Sequence, residues 1–298
     1  PIEIKAYEHS AATRLIEDFM LLTNETIAEE YYWLELPFVY RIHETPDEEK
    51  LRAFATFLNN FGYSLHLTNH TIHPKELQKL LSRIEGSEAE GLISRILLRS
   101  MKQAKYSPEN LGHFGLSAKY YCHFTSPIRR YPDLQIHRII KEQLHGTLSK
   151  SRQEHYEHIL PSVCDSSSKL ERRADEAERE TDKLKKAQYM RRHIGDIYEG
   201  VISGVTAYGF YVELTNTVEG LVRAANLDDD YYIYDQEHYQ LVGEMTGRTF
   251  SIGQSVSVVV VDADTLTKQI EFLLYYPEEE WSKGETRHGK RKSKTHRK

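Results

Sequence analysis

From residue 9 to residue 33 apolar side chains recur at three- and four-residue spacing: Ala12, Leu15, Ile16, Phe19, Met20, Ile27 and Tyr31. That period predicts an amphipathic helix, with Glu17, Asp18 and Asn24 on its polar side. A short apolar piece, Trp33 to Tyr40, follows, and PFVYRIH reads as extended. Thr45-Pro46-Asp47 opens a second helix that runs through Phe61 and closes at Gly62. Pro74 starts a third, and Leu92 to Ala104 forms a fourth with Ile93, Ile96, Leu97 and Met101 on one face. After a break at Gly112–Gly115, Thr125 and Ser126 can cap a helix whose first position is Pro127 and which ends near Gly146. Residues 151–160 and 162–193 then read as helices separated or kinked at Pro161. The second carries a narrow seam of Val163, Leu170, Ala174, Ala177, Leu184 and Ala187 against dense charge, so it packs on one side only.

At Gly195 the period changes. GDIYEGVISGV, AYGFYVEL, VEGLVRAANL, SVSVVVVDAD and QIEFLLYY give five strands with alternating or fully apolar patterns, interrupted by one insertion from Asp228 to Gly253. Five short strands with one long insertion predict a small closed barrel of the OB-fold type, which often binds oligonucleotides on one strand face. The fold class is therefore α+β, a mainly helical part followed by a five-stranded barrel. On the second strand, alternation puts Tyr208 and Phe210 on one face and Tyr211 on the other.

Composition adds a polarity to this layout. The net charge of −6 argues weakly against nucleic acid, but Lys283 to Lys298 holds eight Lys/Arg and a single acid, Glu285. Such a segment cannot bury enough surface to fold, and residues 277–298 read as a disordered polycationic tail suited to phosphate. No apolar run approaches the ~20 residues that span a bilayer, and no signal peptide is visible, so a cytoplasmic protein without membrane contact is expected. Cys122 and Cys164 are too few and too far apart for a disulfide framework. A chain that begins at Pro1, in what reads as mid-domain, suggests an incomplete protein.

The densest chemistry lies in HFTSPIRRYPDLQIHR, residues 123–138. Arg129 and Arg130 in the first turn of a helix, beside its free N–H groups, would make an anion site, and a phosphodiester is the natural anion. The plain alternative is a surface ladder in which Arg129 pairs with Asp133, and Asp133 with His137. Tyr120, Tyr121, His123 and Phe124 just upstream interleave rings with cations, as single-stranded nucleic acid requires, although buried rings in a strand are at least as common. His155 and His158 have metal-like spacing but no third ligand. Asp228-Asp229-Asp230 could be a carboxylate cluster, but no apolar strand fixes it, so a solvated loop is expected.

HFGL at 113–116 followed by HFTSPIRRYPDLQIHR resembles the C-terminal part of the catalytic domain of the ribonuclease II (RNB) family, its ribonuclease R branch most closely. GDIYEGVISGVTAYGFYVEL…EGLV resembles the S1-type OB domain that follows it in that family. LRSMKQAKYSPENLGHFGL, LDDDYYIYDQEHY and the lysine-rich tail are similar as well. The resemblance implies RNB-type sequence over 1–146, a helical connection over 147–193, an S1 barrel over 194–276 and the tail beyond. It implies a processive, hydrolytic 3′–5′ exoribonuclease that uses Mg²⁺ and acts in RNA degradation as a monomer. Single-stranded RNA is the implied partner, with structured RNA and ribosome-associated factors as further ones.

By similarity Arg129 is the catalytic arginine at the RNA phosphates, with Arg130 a weaker neighbour, and Glu17 helps hold the terminal nucleotides. Tyr208, Tyr211, Arg223, Asp264 and Lys268 are the matching RNA-binding positions of the barrel, and Phe210 on the same strand is counted with them; Arg223 stands where the family usually has histidine and Lys268 where it has arginine. The family's metal-binding aspartate cluster, which activates water, has no counterpart in this chain, so no metal ligand is assigned and the chain alone is expected to be inactive. The competing reading is a non-catalytic RNA-binding adaptor on a truncated RNB scaffold. Coding DNA upstream of Pro1 separates the two: an in-frame aspartate cluster supports the enzyme, a start codon the adaptor.

Overall fold

In a computed structural model of the chain, residues 1–7, 10–59, 61–65, 72–87, 89–236 and 238–276 are described. The basic tail expected over 277–298 lies outside them. Helix α1 (Ala11–Trp33) starts at Ser10, whose hydroxyl accepts the Thr13 N–H at 3.1 Å. Only its second half is packed, through Asn24, Ala28 and Tyr31. Leu15, Ile16, Phe19 and Leu22 are more than half exposed, so the predicted apolar stripe has no cover among the described residues at its start. Periodicity shows that a stripe exists; it carries no information about what lies against it.

Strand β1 (Tyr40–Ile42) pairs antiparallel with β2 (Lys105–Ser107). With α1, helix α5 (Tyr131–Leu144) and the start of α6 (Lys150–Met190), they enclose one core of Phe38, Ile42, Cys122, Ile136, Ile139 and Leu160. A second core, Leu51, Phe54, Leu58, Leu80, Ile84 and Ile93, joins α2 (Glu48–Asn59), α3 (Pro74–Ile84) and α4 (Glu90–Ser100).

One expectation about helices fails here. Pro161 does not divide the following stretch: α6 is one helix of 41 residues, Lys150–Met190. The missing N–H forfeits one backbone bond, while Tyr156, Leu160 and Cys164, buried on both sides of the proline, anchor both halves of the continuous helix. At 1.5 Å per residue the helix is about 60 Å long, and it reaches from the first core to a third, where Ala187 and Met190 are fully buried.

That third core is the barrel. β3 (Ile197–Thr206), β4 (Gly209–Leu214), β5 (Glu219–Arg223), β9 (Ser255–Asp264) and β10 (Gln269–Leu274) close in the order β10-β5-β4-β3-β9, with β10 and β5 parallel. This is the expected five-stranded OB-fold. The insertion is not a bare loop, however: β6 (Tyr232–Asp235), β7 (Gln240–Gly243) and β8 (Thr249–Ser251) form a small antiparallel sheet. It is anchored on the barrel by Leu241 and Phe250, both fully buried in the same core. No helix among the described residues is long and apolar enough to cross a membrane.

Candidate nucleic-acid interface

The arginine motif is built differently from the sequence expectation. Ser126 to Arg130 is a turn, closed by the Arg129 and Arg130 N–H groups on the Ser126 carbonyl at 3.3 and 3.1 Å, and α5 begins only at Tyr131 with Arg130 as its N-cap. A helix started at Pro127 would have placed Pro132 in its interior, where the ring collides with the carbonyl four residues back. Beginning at Tyr131 puts that proline in the first turn, where it costs nothing. Arg129 and Arg130 therefore precede the helix.

Nor does the surface ladder form. Asp133 is fully buried, and its Oδ2 accepts three bonds: from the Ser126 N–H at 2.8 Å, Arg130 Nη2 at 2.7 Å and Arg130 Nε at 3.1 Å. His137 bonds the Phe124 carbonyl at 2.9 Å instead and stacks on the Phe124 ring, 4.2 Å away and 5° from parallel. One carboxylate thus pins both ends of the turn and one arginine. Arg129 is exposed, and its guanidinium makes no hydrogen bond or ion pair among the described residues.

The turn faces α1. A cleft of about 270 Å³ is lined by Glu17, Met20, Asn24, Tyr121, Thr125 and Arg130, so two of the expected RNA contacts, Glu17 and Arg130, converge. Asn24, which periodicity placed on a polar face, is buried: it donates to the Tyr121 hydroxyl at 3.2 Å and accepts the Phe124 N–H at 3.0 Å, tying α1 to the motif. A lone Asn in a helix gives no sequence signal for this. Behind the motif, His123 bonds the Tyr106 hydroxyl at 2.9 Å. Burial, helped by the Arg130 charge, pushes its pKa down to about 2; burial, helped by His43, lowers His113 to about 4. These histidines are neutral supports.

On the barrel, Tyr208 lies in the turn between β3 and β4, where strand alternation no longer applies. Its hydroxyl and that of Tyr211 are 2.9 Å apart, and the rings stand edge to face at 6.5 Å. This hydrogen bond, with burial second, raises the Tyr211 pKa to about 12. Gly209 makes the turn: at φ +149° it fits where a Cβ would lie 2.2 Å from the Val222 carbonyl oxygen. Phe210 is a correction. It is fully buried and stacked on Phe250 at 4.8 Å, so it supports the face from inside and offers no ring to a ligand.

Arg223, opposite Gly209 in the ladder, shares the outer face with the two tyrosines and is paired with Glu271 through Nε at 2.9 Å and Nη2. Asp264 and Lys268 sit at the β9–β10 turn. Asp264 accepts from the Leu266 N–H and the Thr267 hydroxyl at 2.8 and 2.7 Å, which lowers its pKa. Lys268 reaches Glu180 of α6 at 2.5 Å. The structure therefore groups Tyr208, Tyr211 and Arg223, while Asp264 is bonded within its own turn and Lys268 to α6.

The triple aspartate is committed to the insertion. Asp230 accepts the Tyr231, Met245 and Thr246 N–H groups and the Thr246 hydroxyl, the last at 2.6 Å, and these bonds push its pKa down to about 2. Asp229 accepts from the Tyr232 hydroxyl at 3.0 Å and Arg248 at 3.1 Å. These carboxylates do not fit a magnesium site, and among the described residues no three His, Cys, Asp or Glu side chains are placed to hold a metal ion.

An aromatic pair and a cation on an OB barrel, joined by a long helix to a scaffold that presents an unpaired arginine, define a nucleic-acid-handling architecture. Residues 1–146 match the RNB domain model and residues 192–274 the S1 RNA binding domain model. The chain belongs to the ribonuclease R branch of the RNB family. It is 46% identical over 279 residues to ribonuclease R 1 of Lactococcus lactis, covering 94% of this chain and 34% of that protein. Against ribonuclease R of Thermotoga maritima it is 40% identical over 282 residues, covering 94% and 39%. The chain thus spans about a third of the length of the curated relatives it matches. The solved Mycoplasma genitalium RNase R in complex with ribose methylated single-stranded RNA aligns with a TM-score of 0.83 at 26% identity, over 92% of this chain and 43% of that one.

Proposed function

We propose that this chain is part of a hydrolytic 3′–5′ exoribonuclease that degrades single-stranded RNA processively, and that it supplies the phosphate-contacting side of the active site together with an RNA-binding barrel. The carrying observation is the Ser126–Arg130 turn. A buried carboxylate organises it, Arg129 is exposed and has no partner among the described residues, and the adjacent Arg130 lines a cleft together with Glu17. An arginine held ready but uncommitted is what a transient phosphate needs, because no ion pair must break first.

On this reading Arg129 contacts the phosphates near the scissile bond, Glu17 and Arg130 hold the terminal nucleotides, and Tyr208, Tyr211 and Arg223 take the incoming strand. Magnesium belongs to the complete enzyme, with ligands outside this chain, so the chain alone releases no nucleotides. A cytoplasmic location belongs to the same proposal, and the two buried thiols, Cys122 and Cys164, suit a reducing compartment.

The test is Arg129→Ala in the complete enzyme. Turnover on a single-stranded oligonucleotide should fall about a hundredfold while affinity for the same RNA changes little, because many remote contacts remain. Equal turnover in variant and parent would remove Arg129 from the chemistry.

A further inference from the structure

A second basic and aromatic cleft, which shares no lining residue with the one at the arginine turn, lies between α4 and the barrel. It encloses about 450 Å³ and is lined by Arg95 and Arg99 of α4, Tyr211 and Glu219 of the barrel, and Tyr234 and Tyr239 of the insertion. Arg95 and Arg99 are one helical turn apart and point the same way. Neither guanidinium has a hydrogen bond or ion pair among the described residues. Arg95 reaches onto β3, where the absence of a side chain at Gly204 makes room for it: a Cβ there would be 3.2 Å from Arg95 Nη1. The one carboxylate in the cleft, Glu219, is held by the Ser203 hydroxyl and not by either arginine. Tyr239 is braced edge-on against Phe57 at 5.5 Å, so its ring is pre-set by the helical core.

Two unpaired cations facing fixed tyrosine rings suit a flexible polyanion with stackable bases. Continuity gives the direction: Tyr211 belongs both to the outer-face pair with Tyr208 and to this cleft. We propose that the cleft is a second single-strand subsite, which takes the stretch of RNA beyond the Tyr208–Tyr211 pair with its phosphates on Arg95 and Arg99 and its bases against Tyr234 and Tyr239. The proposal rests on the barrel binding single-stranded RNA. It adds that α4 and the insertion, which motif matching leaves without a role, complete the binding track.

The experiment compares the chain with two double variants, Arg95→Gln/Arg99→Gln and Tyr208→Ala/Tyr211→Ala, on fluorescein-labelled oligouridines of about 5 and about 15 nucleotides, lengths that fall at either end of OB-fold site sizes. The arginine variant should bind the long RNA about tenfold more weakly and the short one like the parent, and its log K against log salt slope should shrink by about 1.4, or 0.7 for each of two phosphates. Ultraviolet irradiation of the parent with 5-iodouridine in the long RNA should attach it to Tyr234 or Tyr239. An arginine variant that matches the parent on both lengths and in slope, while the tyrosine variant weakens both, overturns the cleft and leaves the barrel reading standing. A crosslink map that omits Tyr234 and Tyr239 overturns it as well, whatever the variants do to folding. If the parent binds neither RNA, the barrel reading falls and takes the cleft with it.

Discussion

The arginine turn and the outer face of the barrel both present cations, but they hold them in opposite ways. In the turn the organising bonds are buried: Asp133, with no exposed surface, fixes Arg130 and the Ser126 backbone, and Arg129 has no partner among the described residues. On the barrel the cations are themselves paired, Arg223 with Glu271 and Lys268 with Glu180, in pairs that solvent reaches. An exposed pair contributes only about 0–1 kcal/mol, so RNA can displace either carboxylate at little cost. The turn is rigid and offers one contact of defined geometry; the face is exchangeable and offers several. The phosphate contact proposed for Arg129 and the strand contact proposed for the barrel would use those two different properties.

The sharpest way to break the comparison is Asp133→Ala. It leaves the Arg130 charge and the Ser126 N–H in a buried place without their acceptor, and should cost about 3–5 kcal/mol of stability, read from urea unfolding. A loss below 1 kcal/mol would mean that the turn is no more preorganised than the barrel face.

Acid should act on the same region. His113 and His123 have folded pKa values of about 4 and about 2, below the ordinary value of 6.5. Between pH 6.5 and 4 the unfolded chain therefore takes up protons that the folded chain refuses, and stability falls as pH drops through that window. The expected loss is a few kcal/mol between pH 7 and 4, measured by urea midpoints, and His123→Phe should flatten it. A midpoint independent of pH would show that the histidines are not buried neutral supports.

On the barrel the effects belong to binding. Tyr208→Ala/Tyr211→Ala should cost about 1–3 kcal/mol per stacked base in affinity for single-stranded RNA, by fluorescence anisotropy, without lowering the melting temperature. Phe210→Ala should do the reverse and destabilise the fold by about 3–5 kcal/mol, because it empties a packed site. The smallest effect is Glu271→Gln, which frees Arg223; RNA should bind less than about fivefold tighter, within the worth of one exposed pair. A larger gain would show that the face is autoinhibited and not merely exchangeable.

How far the site could be read from residues alone depended on whether the decisive contact was local. The barrel strands were legible because alternation is a property of neighbouring residues, and so was the concentration of cations and rings around Arg129 and along Tyr208–Tyr211. Phe210 was misplaced because parity was counted from Tyr208, which sits in a turn. The start of α5 was misplaced because two prolines compete for one helix start, and only the chain's path onto Asp133 decides between them. Asn24 gave no warning, since its partners Tyr121 and Phe124 are about a hundred positions away.

The sequence by itself determined the two architectures, the period change at Gly195 that separates them, and the motif that gathers arginines and rings, since all three are written in spacings of a few residues. Tertiary structure alone decided which cations are free. Among the described residues Arg129, Arg95 and Arg99 stand unpaired while Arg130, Arg223 and Lys268 do not, and in the last two cases the partner carboxylate comes from a distant part of the chain. Charge lies in composition, but its availability is set by which carboxylate folding brings within reach.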